Sequence, residues 1–181
     1  MEPSDVLTLT PIDHPDERVS RVGFDLTSPY VEQCWGPVVG PSATMLLRRM
    51  PTLWTERVPA TITHRELARS LGLGGGTANN SRLAYTLDRI NRFGLATWDR
   101  QAGTLDVYLQ VAGLTQPQLH RLPEWTQRAH ERLLDSHVRQ LDEHQQATPR
   151  VAAITTRLDR LQQPRSMATA APVAHAWVHD Q

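Results

Sequence analysis

Three groups of residues in this chain of 181 have types and spacings that could do chemistry. The first is polar and basic: Asn79, Asn80, Ser81, Arg82, Thr86 and Arg89, where Arg82, Thr86 and Arg89 stand four and three apart and would share one flank of a helix. Arginine carries a planar fork of donors that fits phosphate and guanine, so such a flank suits nucleic acid. The second is a histidine series, His130, His137 and His144, seven apart on one helix flank. No acid or cysteine completes a usual metal-ligand spacing there, so these are expected to be solvated helix histidines; His175 and His179 are four apart but lie in a tail with little sign of a helix. The third is Gly72-Leu73-Gly74-Gly75-Gly76-Thr77, which lacks the lysine of a phosphate-binding loop and joins two helices where such a loop would follow a strand. Its glycines are expected only to turn the chain.

No GxSxG, HExxH, CxxC or spaced carboxylate pair is present, so the expectation is a non-enzyme with no catalytic residues, no cofactor and no metal. Cys34 is the single cysteine, which excludes an internal disulfide, and its setting beside Trp35 suits a buried, inert thiol. No run of about 18 apolar residues occurs, and the N-terminal residues have neither a basic region nor an apolar stretch. A soluble, cytoplasmic protein with no membrane partner is expected.

Charge is unevenly spread. The 19 basic residues are balanced by 19 acidic ones, and every basic residue is arginine, a bias that codon usage in a GC-rich bacterial genome explains without reference to function. Residues 1–40 hold two arginines against seven carboxylates, an acidic arm, whereas residues 41–112 hold nine arginines against five.

The elements that must position the arginine flank are legible in this basic segment. Pro41 suits a first helical turn, and Ala43, Leu46, Leu47, Met50 and Trp54 then recur at helical spacing, with Pro51 expected to kink or end the helix. Residues 57–62 form a short extended segment that Pro59 confines to a sheet edge. Thr63-His64-Arg65-Glu66 is a capping box, with Ile62 and Leu67 as a hydrophobic staple. The helix it opens stops at Gly72. A second helix, capped by Thr77 or Asn80, buries Leu83, Leu87 and Ile90 and ends at Gly94 in a left-handed conformation, with Ile90 and Leu95 closing a Schellman motif. Leu95–Trp98 and residues 104–111 then read as a hairpin around a polar turn.

Helix, strand, capped helix, turn, helix and hairpin is the order of a winged helix-turn-helix domain, and residues 41–112 resemble that family throughout. The turn departs from the family pattern, since its three consecutive glycines make it longer than the usual 3 to 4 residues. The fold class is expected to be mainly α with a small β-hairpin wing, a winged helix-turn-helix core plus C-terminal amphipathic helices. The resemblance implies sequence-specific binding of double-stranded DNA through a recognition helix at about 78–93 and a wing at about 95–111, in transcriptional regulation. It makes Asn79, Asn80, Ser81, Arg82, Thr86 and Arg89 the base readers, Tyr85 a backbone contact, Arg65 and Arg69 phosphate contacts from the first helix, and Arg100 and Gln101 the wing-tip contacts. Asp88, close to this surface, detracts. The alternative is a winged helix that binds protein, an adaptor or assembly component that does not touch DNA.

The flanks complete the division. Residues 113–145 hold C-terminal helices, one through Leu119 and Leu122 and a longer one whose apolar positions are Trp125, Ala129, Leu133, Leu134, Val138 and Leu141. Residues 146–162 form a separate short amphipathic helix opened by Thr148-Pro149, with Val151, Ile154, Leu158 and Leu161 in a heptad-like stripe that must pack within the chain or against a second copy as a homodimer. Residues 163–181 have the composition of a flexible tail. In residues 1–40, Val6–Leu9 is expected as a strand and Pro29–Trp35 as a short helix capped by Ser28. The arm's acidic charge could also shield the basic surface, and deleting residues 1–27 tests that.

Overall fold

A computed structural model of the chain describes residues 5–76 and 81–162, with residues 145–162 described by backbone alone. In β1 (Val6–Ile12), alternate residues share a face, and Leu7 and Leu9 are fully buried on it. β1 pairs antiparallel with β3 (Ala60–Thr63), Leu7 opposite Ile62, and parallel with β5 (Thr104–Tyr108), Leu9 opposite Leu105. β4 (Ala96–Asp99) is the antiparallel partner of β5, with Trp98 opposite Leu105. The strand order β3-β1-β5-β4 therefore puts β1 inside the sheet. A second, two-stranded sheet joins β2 (Phe24–Asp25) to β6 (Gln110–Val111).

The hairpin β4–β5 is half of a four-stranded sheet, and residues 1–40 supply its inner strand β1 together with Phe24, Leu26, Tyr30, Val31, Cys34 and Trp35 of the core. The architecture is mixed α/β with helix in the larger share. β3, whose first residue follows Pro59, lies at the sheet edge as proline demands.

Around the sheet lie α1 (Glu17–Val22), capped by Asp16, and a π-helical turn (Val31–Trp35) that runs into α2 (Gly36–Val39). Ser28 does not cap this helix: its hydroxyl is buried without a partner. α3 (Pro41–Glu56) starts at proline and continues through Pro51, which neither ends nor replaces it. Buried Leu46, Leu47 and Met50 hold the helix on one side of the proline, and on the other Trp54 donates its indole N–H to the Leu9 carbonyl at 3.1 Å. α6 (Gln116–Leu119) opens with a complete capping box between Thr115 and Gln118.

α7 (Glu124–Gln162) is one helix of 39 residues, so the expected break before residue 146 is absent and the helix passes through Pro149. Its packed face differs in part from the expected one: Ala129 is buried and Leu133 packs partly against the core as expected, but Trp125, Leu134 and Val138 are exposed and Thr126 and His130 are buried instead. The chain forms two compact units, residues 1–139 and 140–181, of which the second is described as helical backbone over 140–162. The expected tail, residues 163–181, lies outside the described residues. No helix among the described residues is long and apolar enough to cross a membrane.

Candidate nucleic-acid interface

Two helices carry the candidate residues. α4 (His64–Ser70) begins where Thr63 leaves β3: the Glu66 amide donates to Thr63 Oγ1 at 3.1 Å, and the return bond of a full capping box is not made. The helix closes on Gly72, whose φ of +69° suits a residue without Cβ; the Leu73 N–H reaches the Ala68 carbonyl at 2.9 Å and the Gly72 N–H reaches Arg69 at 3.0 Å, a Schellman motif. α4 exposes Arg65 and Arg69 and buries Leu67 and Ala68. Asn79 and Asn80 lie outside the described residues.

α5 (Arg82–Arg92) is capped by Ser81, whose Oγ accepts from the Ala84 amide at 3.2 Å, rather than by Thr77 or Asn80. It ends as its sequence predicts. Gly94 has φ +66°, and the Leu95 N–H bonds the Ile90 carbonyl at 3.0 Å. Leu83, Thr86, Leu87 and Ile90 are buried, which leaves Arg82, Tyr85, Arg89 and Arg92 exposed at spacings of three, four and three on one face. Tyr85 is 64% exposed. Arg82 and Arg92 form no ion pair among the described residues, whereas Arg89 donates to the Val38 carbonyl at 3.0 Å and sits 5.9 Å from the Phe93 ring centre. Arg89 is thus anchored to α2 while its side chain stays at the surface.

Three expected contacts are placed differently. Thr86 is not on the exposed flank: it is 4% exposed, its hydroxyl bonds the Arg82 carbonyl at 2.8 Å, and it lies 3.2 Å from Ser42 Oγ of α3. It joins α5 to α3 and cannot reach a base. Arg100, at the hairpin turn, pairs with Asp88 of α5 at 2.8 Å instead of projecting outward, so each cancels the other's charge beside the α5 face. Gln101 is exposed, but its N–H is used in the turn, donating to Asp99 Oδ1 at 2.9 Å. Arg92 is the member that sequence reasoning missed; continuing the three-and-four spacing from Arg82 by one step would have found it.

The remaining candidates for chemistry are structural. Cys34 is buried, and burial pushes its thiol up to about 11, so it stays protonated. No group of three or more His, Cys, Asp and Glu among the described residues could hold a metal ion. The histidines are not all solvated. His130 is 8% exposed, with Nδ1 2.6 Å from Tyr30 Oη, and His137 stacks on Phe24 at 4.3 Å and holds the Val22 carbonyl at 3.0 Å through Nε2. What remains at the surface as a coherent chemical feature is the α5 face, three arginines and a tyrosine, with Asp88, three residues from Tyr85 and four from Arg92, paired to Arg100. No protein-family model, no curated protein and no solved structure matches this chain.

Proposed function

We propose that the chain binds double-stranded DNA through the exposed face of α5 and acts as a sequence-specific regulator of transcription. The observation that carries this reading is the stripe Arg82, Tyr85, Arg89 and Arg92. It stands on a helix whose opposite side is fixed by Leu83, Leu87 and Ile90 and whose two ends are both capped. A rigid helix with forked donors every turn fits the phosphates and base edges of a major groove. Tyr85 supplies a hydroxyl and a ring for the sugar-phosphate backbone, and Arg65 and Arg69 of α4 add phosphate contacts. Two such helices in a homodimer would read a two-fold site; the stripe Val151, Ile154, Leu158 and Leu161 in the sequence of α7 is the proposed seam.

A winged helix that binds protein is the second reading, favoured by the surface Arg100–Asp88 pair, which offsets the charge of the wing. Fluorescence anisotropy on random-sequence and native upstream duplexes across a salt series separates the two. Arg82→Glu with Arg92→Glu is the informative pair, because neither side chain forms an ion pair or hydrogen bond among the described residues. Loss of two phosphate contacts should make the slope of log K against log salt shallower by about 1.8, with binding weakened at every salt concentration. Absence of binding by the unaltered chain at low salt refutes the DNA reading and leaves the protein partner.

A further inference from the structure

The first half of α7 is held to the rest of its unit in an unusual way. Among the described residues of α7, Ala129 is the one apolar side chain fully in the core. Leu133 adds partial apolar packing and the His137 ring stacks on Phe24. The directional bonds are polar: Tyr30 to His130, Arg132 to Gln33 Oε1 at 3.0 Å, and His137 to the Val22 carbonyl, so a modest apolar seal is joined to a specific polar one.

The Tyr30–His130 bond has its protons assigned by its surroundings. The Leu114 N–H donates to Tyr30 Oη at 2.9 Å, so the phenol accepts there, and its own hydrogen is left to donate to His130 Nδ1. Burial pushes Tyr30 up to about 12, which keeps that hydrogen in place. His130 must then be neutral, with its proton on Nε2. A second proton on the imidazole would have to enter at Nδ1. Tyr30 Oη would then face two N–H donors while its own hydrogen, in the stacked pair with Phe24 at 3.7 Å, lost its acceptor.

We propose that His130 is a proton-operated latch: neutral, it docks the first half of α7 through Tyr30, and protonated, it releases that half-helix from the core. Its surroundings do little to rescue the cation. Tyr30, which faces it from the helical segment before α3, is uncharged. Glu131, beside it on α7, favours the charged form, but burial of the ring outweighs it and holds His130 below the ordinary imidazole range. Arg132 on α7 is positive, and His120, Glu131 and Asp135 line with His130 a cavity of about 480 Å³ between α6 and α7. His137 lies further along α7, with Nε2 3.0 Å from the Val22 carbonyl.

The direction follows from linkage. The undocked imidazole binds a proton near pH 6.5 and the docked one only at lower pH, so docking is full above about 6.5 and weakens up to about tenfold for each pH unit below it. Hydrogen exchange of the full chain, read by mass spectrometry at about pH 7.5 and about pH 5 and corrected for intrinsic rates, measures this by the protection of residues 124–139 against that of α3. The expected result is a loss of protection in α7 at the lower pH that α3 does not share. His130→Gln offers Tyr30 an acceptor that cannot be charged and should hold α7 protected at both pH values. Parallel loss in α7 and α3, unchanged protection at low pH, or the same pH dependence in His130→Gln would each overturn the latch. Should the variant not fold, imidazole nitrogen shifts in the unaltered chain decide: His130 must gain its proton as α7 loses protection, and a protonated His130 under a still-protected helix refutes it.

Discussion

Replacing Leu9 by alanine asks whether residues 1–40 are an arm or part of the core. Leu9 is fully buried on β1, opposite Ala60 on one side and Leu105 on the other, and its carbonyl accepts the Trp54 indole N–H. The substitution removes the side chain and leaves those backbone bonds in place, so its cost is the transfer of the lost methyl and methylene groups plus the cavity they leave. Leu→Ala at such a site costs about 2–5 kcal/mol. Against a whole-domain stability of about 5–15 kcal/mol this is a large fraction, and for a chain of this size it lowers Tm by roughly 2–4 °C per kcal/mol. Urea unfolding followed by tryptophan fluorescence is the assay, since Trp35, Trp54 and Trp98 all pack on the core. Thr10→Ala, a half-buried neighbour on the other face of the strand, is the control and should cost less than about 1 kcal/mol. If Leu9→Ala unfolds within about 0.5 kcal/mol of the unaltered chain, or deletion of residues 1–12 leaves the transition unchanged, β1 is not an inner strand and the sheet order argued above is wrong. The same reasoning makes deletion of residues 1–27 a poor probe of charge shielding, because it would remove β1 and β2 together with any acidic cover.

Thr86→Val keeps the volume and deletes the hydroxyl that lies between Arg82 and Ser42; it should lower stability by about 1 kcal/mol in a thermal melt and leave DNA affinity unchanged, whereas a base-reading threonine would show the reverse. Leu158→Asp places a charge in the heptad stripe of α7 and should convert a dimer to a monomer in sedimentation equilibrium; a chain that is monomeric before the change removes the two-fold element of the proposed function.

Local chemistry made much of the fold legible before any coordinates. Thr63 as a helix cap, Gly72 as a helix stop, Gly94 as a left-handed stop, Pro59 at a sheet edge and the buried trio Leu83, Leu87 and Ile90 each depend on residues within one or two turns of one another. The exposed arginines of α5 follow from the same trio, since fixing the buried side of a helix fixes the opposite one. Pro51 and Pro149 show where local rules yield: α3 keeps its course through Pro51 under the burial of its neighbours, and the backbone of α7 runs through Pro149.

The sequence by itself determined the order of helices and strands from residue 41 to 108, though not the break that sends Gln110–Val111 to a second sheet. It also determined the ends of α4 and α5, the absence of a recognisable catalytic motif and the basic character of one helix face. Only the tertiary structure decided that β1 enters the sheet beside a strand nearly a hundred residues away, that Thr86 faces Ser42, that Arg100 turns back to Asp88, and that His130 rather than Trp125 is what α7 buries. The physical reason is common to all four. A cap or a glycine stop is satisfied by atoms a few bonds along the chain, whereas a strand partner, a buried hydroxyl's acceptor or an imidazole's donor comes from distant sequence, and nothing in the local pattern says which.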